Sequence, residues 1–203
     1  VNRPEDVYVV ETLLRQIEAA IGATRRVGIE AQIETAEGLV NCERIAAASD
    51  RVEALTFGPG DFAASAGMPA AHIGMQDDWD ARYPGHRWHY AMSKIVIAAR
   101  AAGIRAIDGP YADFRDLDGL RRSCEIARGL GFDGKWCIHP AQIPVVNEVF
   151  SPSEVELAWA RRVLEESQRA AEDGAGAAAI DGRMIDGASV RMAERTLGSV
   201  RTP

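Results

Sequence analysis

Four times along this chain a short apolar run stops at a polar or Gly/Pro-containing turn before an amphipathic helical stretch follows. The runs are Arg26–Glu34, Val52–Phe57, Ile104–Asp108 and Lys135–Ile138. Their stops include Gly58-Pro59-Gly60, Gly109-Pro110 and His139-Pro140. Apolar residues at helical spacing mark Glu5–Ile21, Glu37–Ala48, Asp61–Ala66, Trp88–Ala102 (closed by Gly103), Leu117–Leu130, Ser153–Ala171 and Ala188–Leu197. Alternation of this kind predicts an α/β fold, a parallel sheet covered by helices. No Gly-x-Gly-x-x-Gly opens the first unit, so a dinucleotide fold is not signalled. Residues 67–88 read as irregular, and Glu172–Ala179 as a small-residue linker.

The polar residues gather just past the strand ends: Glu34, Asp61, Asp108 and His139. In a (β/α)8 TIM barrel those ends form the active face. Four strands cannot close eight, so the sequence reads as the C-terminal portion of such a barrel. Residues 1–150 are expected to supply about strands 5–8, and 151–203 a C-terminal helical cap. The N-terminal strands are absent from this sequence, which is expected to begin inside a longer protein, since it opens on Val1 without a Met.

Composition narrows the function classes. The net charge is −7 and the pI about 5.2. An acidic chain lacks the clustered positive charge of a nucleic-acid footprint. At 47% hydrophobic and 26% charged residues it is too apolar for intrinsic disorder. No apolar run is long enough to span a membrane, and residues 1–6 do not form a signal peptide. Cys42, Cys124 and Cys137 are far apart and form no CxxC pair, which argues against a disulfide framework or a zinc site and for a reducing cytoplasm.

Glu34 and Asp61 lie at consecutive strand ends, and adjacent parallel strands sit about 4.8 Å apart. Two such carboxylates can share a hard cation such as Mg²⁺, with substrate oxygens and water completing the octahedron; a pair of solvated loop acids fits the same pattern. Asp61 is expected to begin a helix, either favouring an anion beside it or serving as a plain N-cap. Asp108-Gly109-Pro110 repeats the motif or is simply a turn. His139 is more often structural than catalytic, and Cys137 reads as core. Asp186, ahead of Gly187 and Ala188, reads as a helix N-cap. Trp79, Trp88, His89 and Tyr90 either bind an aromatic ligand or, more commonly, anchor the long helix.

Seven stretches, Glu30–Leu39, Phe57–Met68, Pro84–Tyr90, Ala106–Phe114, Gly134–Pro140, Asn147–Pro152 and Asp181–Asp186, together resemble the malyl-CoA/β-methylmalyl-CoA/citramalyl-CoA lyases. That group belongs to the citrate lyase β-subunit-like superfamily of metal-dependent aldolases. The resemblance implies a Mg²⁺-dependent carbon–carbon lyase, with Mn²⁺ as a possible substitute, acting on a coenzyme A thioester. Its reaction would be the reversible cleavage of L-malyl-CoA or β-methylmalyl-CoA to glyoxylate and acetyl-CoA or propionyl-CoA. It assigns the metal to Glu34 and Asp61, contact with the 2-oxo acid to the Gly60 backbone, and the border of the coenzyme A arm to Ile138 and His139. Asp186 matches an acid supplied by the C-terminal segment of a neighbouring subunit, which exchanges a proton with the α-carbon of the thioester. Such a positioned carboxylate is worth roughly 10²–10⁴-fold. It would sit on a mobile cap hinged at 174–179, in a homo-oligomer, a trimer or hexamer. The family's N-terminal half also carries an Arg that pairs with the oxo-acid carboxylate; nothing here matches it, and Arg3 is not its counterpart. The alternatives are a malyl-CoA thioesterase or a citramalyl-CoA lyase on the same scaffold, or a truncated, non-catalytic half-barrel.

Overall fold

The computed structural model describes residues 1–82, 86–172, 174 and 178–199. The chain divides into two compact units, Val1–Phe150 and Ser151–Pro203.

The first unit opens with α1 (Pro4–Ile21), closed by Gly22 at φ +61°. It then alternates β1 (Ile29–Ile33), α2 (Ala36–Ala46), β2 (Val52–Phe57), α3 (Pro59–Ser65), α4 (Asp78–Arg82), α5 (His89–Ala101), β3 (Arg105–Asp108), α6 (Leu117–Leu130) and β4 (Gly134–Lys135). A 3₁₀ turn (Pro140–Gln142) and α7 (Ile143–Phe150) complete it. The strands form one sheet in the order β1-β2-β3-β4, every pair parallel. Parallel neighbours need long crossovers, and helices supply each of them.

Register decides which side chains meet. Ala31 lies opposite Leu55, Ile33 opposite Phe57, and Leu55 opposite Ala106. These residues are fully buried and pack on Leu39, Cys42 and Ile45 of α2 and on Met92, Ile95 and Ala99 of α5. Period-2 alternation turns Glu30, Gln32 and Glu34 to the other face. Trp88 is buried at the start of α5, edge-on to Phe57 at 5.9 Å, so it serves as the helix anchor. Caps set the boundaries: the Thr35 hydroxyl accepts from Gly38 N at the start of α2, and Asp116 accepts from Gly119 N at the start of α6.

The sheet is open, with β1 and β4 as its edges. Several elements depart from the sequence reading. The fourth strand is Gly134–Lys135 rather than Lys135–Ile138, because the amides of Ile138 and His139 leave the ladder for the Gln142 side chain. The first strand starts at Ile29, where its register against β2 shifts; upstream, Val27 N donates to Glu18 and Arg26 pairs with Asp50. The irregular stretch 67–88 contains α4, and Arg87 braces it by donating to Asp77 at 2.9 Å and to the Pro69 carbonyl at 2.6 Å. Helix α7 escaped the sequence reading although Val145, Val146, Val149 and Phe150 carry helical spacing.

The second unit pairs α8 (Glu154–Glu172) with α9 (Gly187–Gly198) and an antiparallel hairpin, β5 (Ala178–Ile180) and β6 (Arg183–Ile185). Asp181 and Gly182, at φ +51° and +76°, form the two-residue turn that Asp-Gly favours. Ala160, Val163, Ile180, Ile185 and Ala193 form its core. The expected linker Glu172–Ala179 is thereby revised: Glu172 ends α8 and residues 178–179 begin β5, while 173 and 175–177 lie outside the described residues, as do Pro84 and Gly85 of the matching stretches.

Candidate functional site

Glu34 follows directly on β1 and Gly58 directly on β2; the ladder runs on between them as Gly58 N donates to the Ile33 carbonyl at 2.9 Å. A Cβ at position 58 would fall 2.4 Å from Glu34 Cβ and 3.0 Å from Glu34 Oε2. Only glycine lets the end of β2 press this closely on the carboxylate. Gln32 Nε2 donates to Glu34 Oε2 at 2.6 Å, holding the half-buried side chain over the sheet edge.

Asp61 is not the N-cap of its helix, as the sequence suggested. Pro59 takes the first helical position, where its missing N–H costs nothing, and Gly58 is the cap. Asp61 sits in the first turn of α3, exposed, and Gly60 is half-buried beside Ile73. Neither Glu34 nor Asp61 pairs with a cation among the described residues. Both carboxylates thus stand at the same edge of neighbouring strands. No cluster of three or more His, Cys, Asp or Glu is gathered among the described residues. A divalent ion here would therefore draw its remaining ligands from substrate and water.

The ends of β3 and β4 carry a pair that sequence reasoning missed. Asp108 and Lys135 are register partners, and Lys135 Nζ donates to Asp108 Oδ2 at 2.5 Å with both side chains nearly inaccessible, at 6% and 2%. Asp108 Oδ1 also accepts from Gly109 N, so the Asp-Gly-Pro segment is a turn built around a buried carboxylate. The pair borders a cavity of about 170 Å³, walled further by Trp88, Met92, Tyr111 and Ile126. His86 also faces it, its Nδ1 buried without a hydrogen-bond partner among the described residues, and burial holds its pKa below the usual histidine range.

Ile138 and His139 lie just past β4, which stands two places from β2 in the sheet order. Ile138 is exposed; the His139 ring stacks on Phe114 at 4.6 Å, and its Nδ1 accepts from Ala141 N. Gln142, wholly buried, accepts from both Ile138 N and His139 N. Nearby, the Tyr111 hydroxyl donates to Asp116 at 2.6 Å. That bond holds Asp116 below the ordinary carboxylate range, while burial, aided by Asp116, pushes Tyr111 up. Cys137 is half-buried against the same apolar cluster, and burial pushes the neighbouring Cys124 thiol up to about 11. The only signal for Gln142 was its place three residues after a turn-opening His-Pro, a capping-box spacing.

Asp186 lies in the second unit, at the N-cap of α9, where its Oδ1 accepts from Ala188 N at 2.9 Å and Ser189 N at 3.0 Å. The Ser189 bonds hold its carboxyl below the usual range, so it is ionised at neutral pH. Arg3 is exposed and engaged with Glu37.

Residues 1–140 match the HpcH/HpaI aldolase/citrate lyase family. An L-malyl-CoA/beta-methylmalyl-CoA lyase of Rhodobacter capsulatus is 44% identical over 195 residues, covering 93% of this chain and 61% of its own length. A (3S)-malyl-CoA thioesterase of Cereibacter sphaeroides is 35% identical over 183 residues, covering 89% of this chain and 59% of its own. The crystal structure of CitE from Mycobacterium tuberculosis, in complex with magnesium, acetoacetate and coenzyme A, superposes with a TM-score of 0.68 at 35% identity, covering 87% of this chain and 61% of that one. The chain thus spans about three fifths of the length of the curated relatives it matches.

Proposed function

Because this chain belongs to the HpcH/HpaI aldolase/citrate lyase family, we propose that it carries the metal-binding part of a carbon–carbon lyase. The substrate is a 3-hydroxyacyl-CoA, L-malyl-CoA or β-methylmalyl-CoA, cleaved reversibly to glyoxylate and acetyl-CoA or propionyl-CoA. One observation carries the reading: past the ends of adjacent strands, Glu34 and Asp61 pair with no cation among the described residues, and Gly58 is pressed against Glu34. In this reading β1–β4 and their helices are the C-terminal portion of a (β/α)8 barrel, whose further strands pair with the open edges.

Two unneutralised carboxylates beside a glycine cradle fit a hard divalent ion, Mg²⁺ or Mn²⁺, held by Glu34 and Asp61. When bound, the ion supplies Lewis-acid polarisation of the oxo-acid carbonyl. The backbone at Gly60 lies against the oxo acid, and Ile138 and His139 border the coenzyme A arm. Asp186 handles the proton at the α-carbon of the thioester. In condensation its carboxylate removes that proton. In cleavage Asp186 first takes up a proton from solvent; the β-hydroxyl releases its own proton to solvent as its oxygen becomes the glyoxylate carbonyl, the Cα–Cβ bond breaks with its electron pair passing into the thioester enolate, and the Asp186 carboxyl gives its proton to the α-carbon. Asp186 is ionised at neutral pH, the state that condensation requires. Acting in a homo-oligomer, a trimer or hexamer, Asp186 of one copy serves the site of the next. The compartment is the cytoplasm, a reading supported by three free cysteines.

Calorimetric titration of Mg²⁺ in the presence of glyoxylate tests the metal site. Glu34→Gln and Asp61→Asn should each weaken binding by at least about tenfold with melting unchanged. Absence of Mg²⁺ binding by the wild-type chain overturns the reading in favour of a non-catalytic half-barrel. The thioesterase relative supports a second reading, hydrolysis of malyl-CoA. Products separate the two: glyoxylate with acetyl-CoA, or malate with free coenzyme A.

A further inference from the structure

The side chain of Gln142 is fully buried, and its hydrogen bonds among the described residues all go to backbone. Its Oε1 accepts from Ile138 N at 2.9 Å and from His139 N at 3.3 Å, using both lone pairs on the segment after β4. Its Nε2 donates at 2.9 Å to the carbonyl of Tyr111, on the segment after β3, 31 residues away. Two N–H groups at one end and a carbonyl at the other fix which way the amide points. An ordinary capping box asks only for an acceptor, so Glu serves as well as Gln. Here the second end needs a donor in a site closed to water, and a carboxylate would face the Tyr111 carbonyl with nothing to give. The same two segments meet again where the His139 ring stacks on Phe114.

We propose that Gln142 is a positioning residue for acyl-CoA binding: it ties the segment after β4 to the segment after β3 and so sets where Ile138 and His139 present themselves to the coenzyme A arm. The assignment rests on the acyl-CoA reading of Ile138 and His139 given above. Gln142 touches no substrate; it acts through the two backbone amides it holds.

The test uses this chain with acetyl-CoA as one probe and Mg²⁺ with glyoxylate as the other. Gln142→Glu keeps the acceptor and loses the donor. It should bind acetyl-CoA about tenfold more weakly than wild type at neutral pH. Affinity should recover on mild acidification, as the introduced carboxyl takes up a proton and regains a donor for the Tyr111 carbonyl. The wild type, titrated in parallel, accounts for His139 and Asp116. Gln142→Leu loses both ends. It should show the weaker binding at every pH, and hydrogen exchange at the Ile138 and His139 amides should accelerate. Glyoxylate binding should stay within about twofold of wild type in both variants, because Glu34 and Asp61 are untouched.

Wild-type acetyl-CoA affinity in a folded Gln142→Glu at neutral pH overturns the proposal. So does parallel loss of both probes with no recovery in acid, which marks a merely structural residue. A wild-type chain that binds no acetyl-CoA overturns the acyl-CoA assignment of the preceding section. The tether is then decided by amide exchange alone, and unchanged exchange at Ile138 and His139 in Gln142→Leu refutes it.

Discussion

Replacing Lys135 by methionine removes the cation from a pair whose side chains are only 2% and 6% accessible. The Asp108 carboxylate keeps one bond, from Gly109 N, and loses its only counter-charge among the described residues. Breaking one side of a buried ion pair costs about 3–5 kcal/mol. The adjoining cavity of about 170 Å³ lets water reach the orphaned oxygen, which places the expected loss near the lower figure, about 3 kcal/mol. With a urea m-value of roughly 2 kcal/mol/M, the unfolding midpoint falls by about 1.5 M with m unchanged. The abandoned carboxyl escapes part of the cost by taking up a proton, so the loss shrinks toward acid pH. Lys135→Met combined with Asp108→Leu removes both charges and should recover much of the loss, leaving chiefly the Gly109 amide unsatisfied, about 1–3 kcal/mol. Urea titrations followed by circular dichroism measure all three proteins. A single-variant shift under about 0.5 M would mean that Asp108 remains hydrated, and the buried-pair reasoning would be wrong.

Phe57→Ala empties the centre of the Phe57–Phe62–Trp88 cluster and should cost about 3–5 kcal/mol in the same assay. Asp186 serves as helix cap in the structure and as acid–base group in the proposed reaction, and two substitutions separate these roles. Asn caps as well as Asp, so Asp186→Asn should melt like wild type yet lose roughly 10²–10⁴-fold in lyase turnover, while Asp186→Ala should also melt about 2–4 °C lower. The Arg51 guanidinium, with help from Val27 N, lowers the Glu18 carboxyl from its ordinary 4.5 to about 2. A depressed folded-state pKa stabilises fully above 4.5 and is lost as pH falls through about 2. Urea midpoints measured from neutral to acid pH should therefore decline across that window in wild type, and less steeply in Arg51→Met.

Much of the fold was legible because its signals are local. The apolar run Val52–Phe57 and the periodic Leu117–Leu130 coincide with β2 and α6, since a turn sequence or an Asp cap bounds each. The parallel order was readable as well, and it puts Glu34 directly after β1 and Asp61 in the first turn of the helix that follows β2. The hairpin at Asp181-Gly182 also had its mark in the sequence, and only the competing linker reading of the glycines around it hid the strands.

Pairings between distant residues were decided only when the sheet and helices closed on each other. Nothing near Lys135 in sequence reveals that register sets it against Asp108, 27 residues back, in a site water scarcely enters. Nothing local says that Gln142, having claimed the amides of Ile138 and His139, spends its other end on Tyr111, 31 residues back. The sequence by itself determined the order of strands and helices and put two acids at neighbouring strand ends, because backbone preference and side-chain periodicity act over a few residues. Tertiary structure alone decided which polar groups lost their water and therefore needed a particular partner, because burial is a property of the assembled layers and not of any short segment.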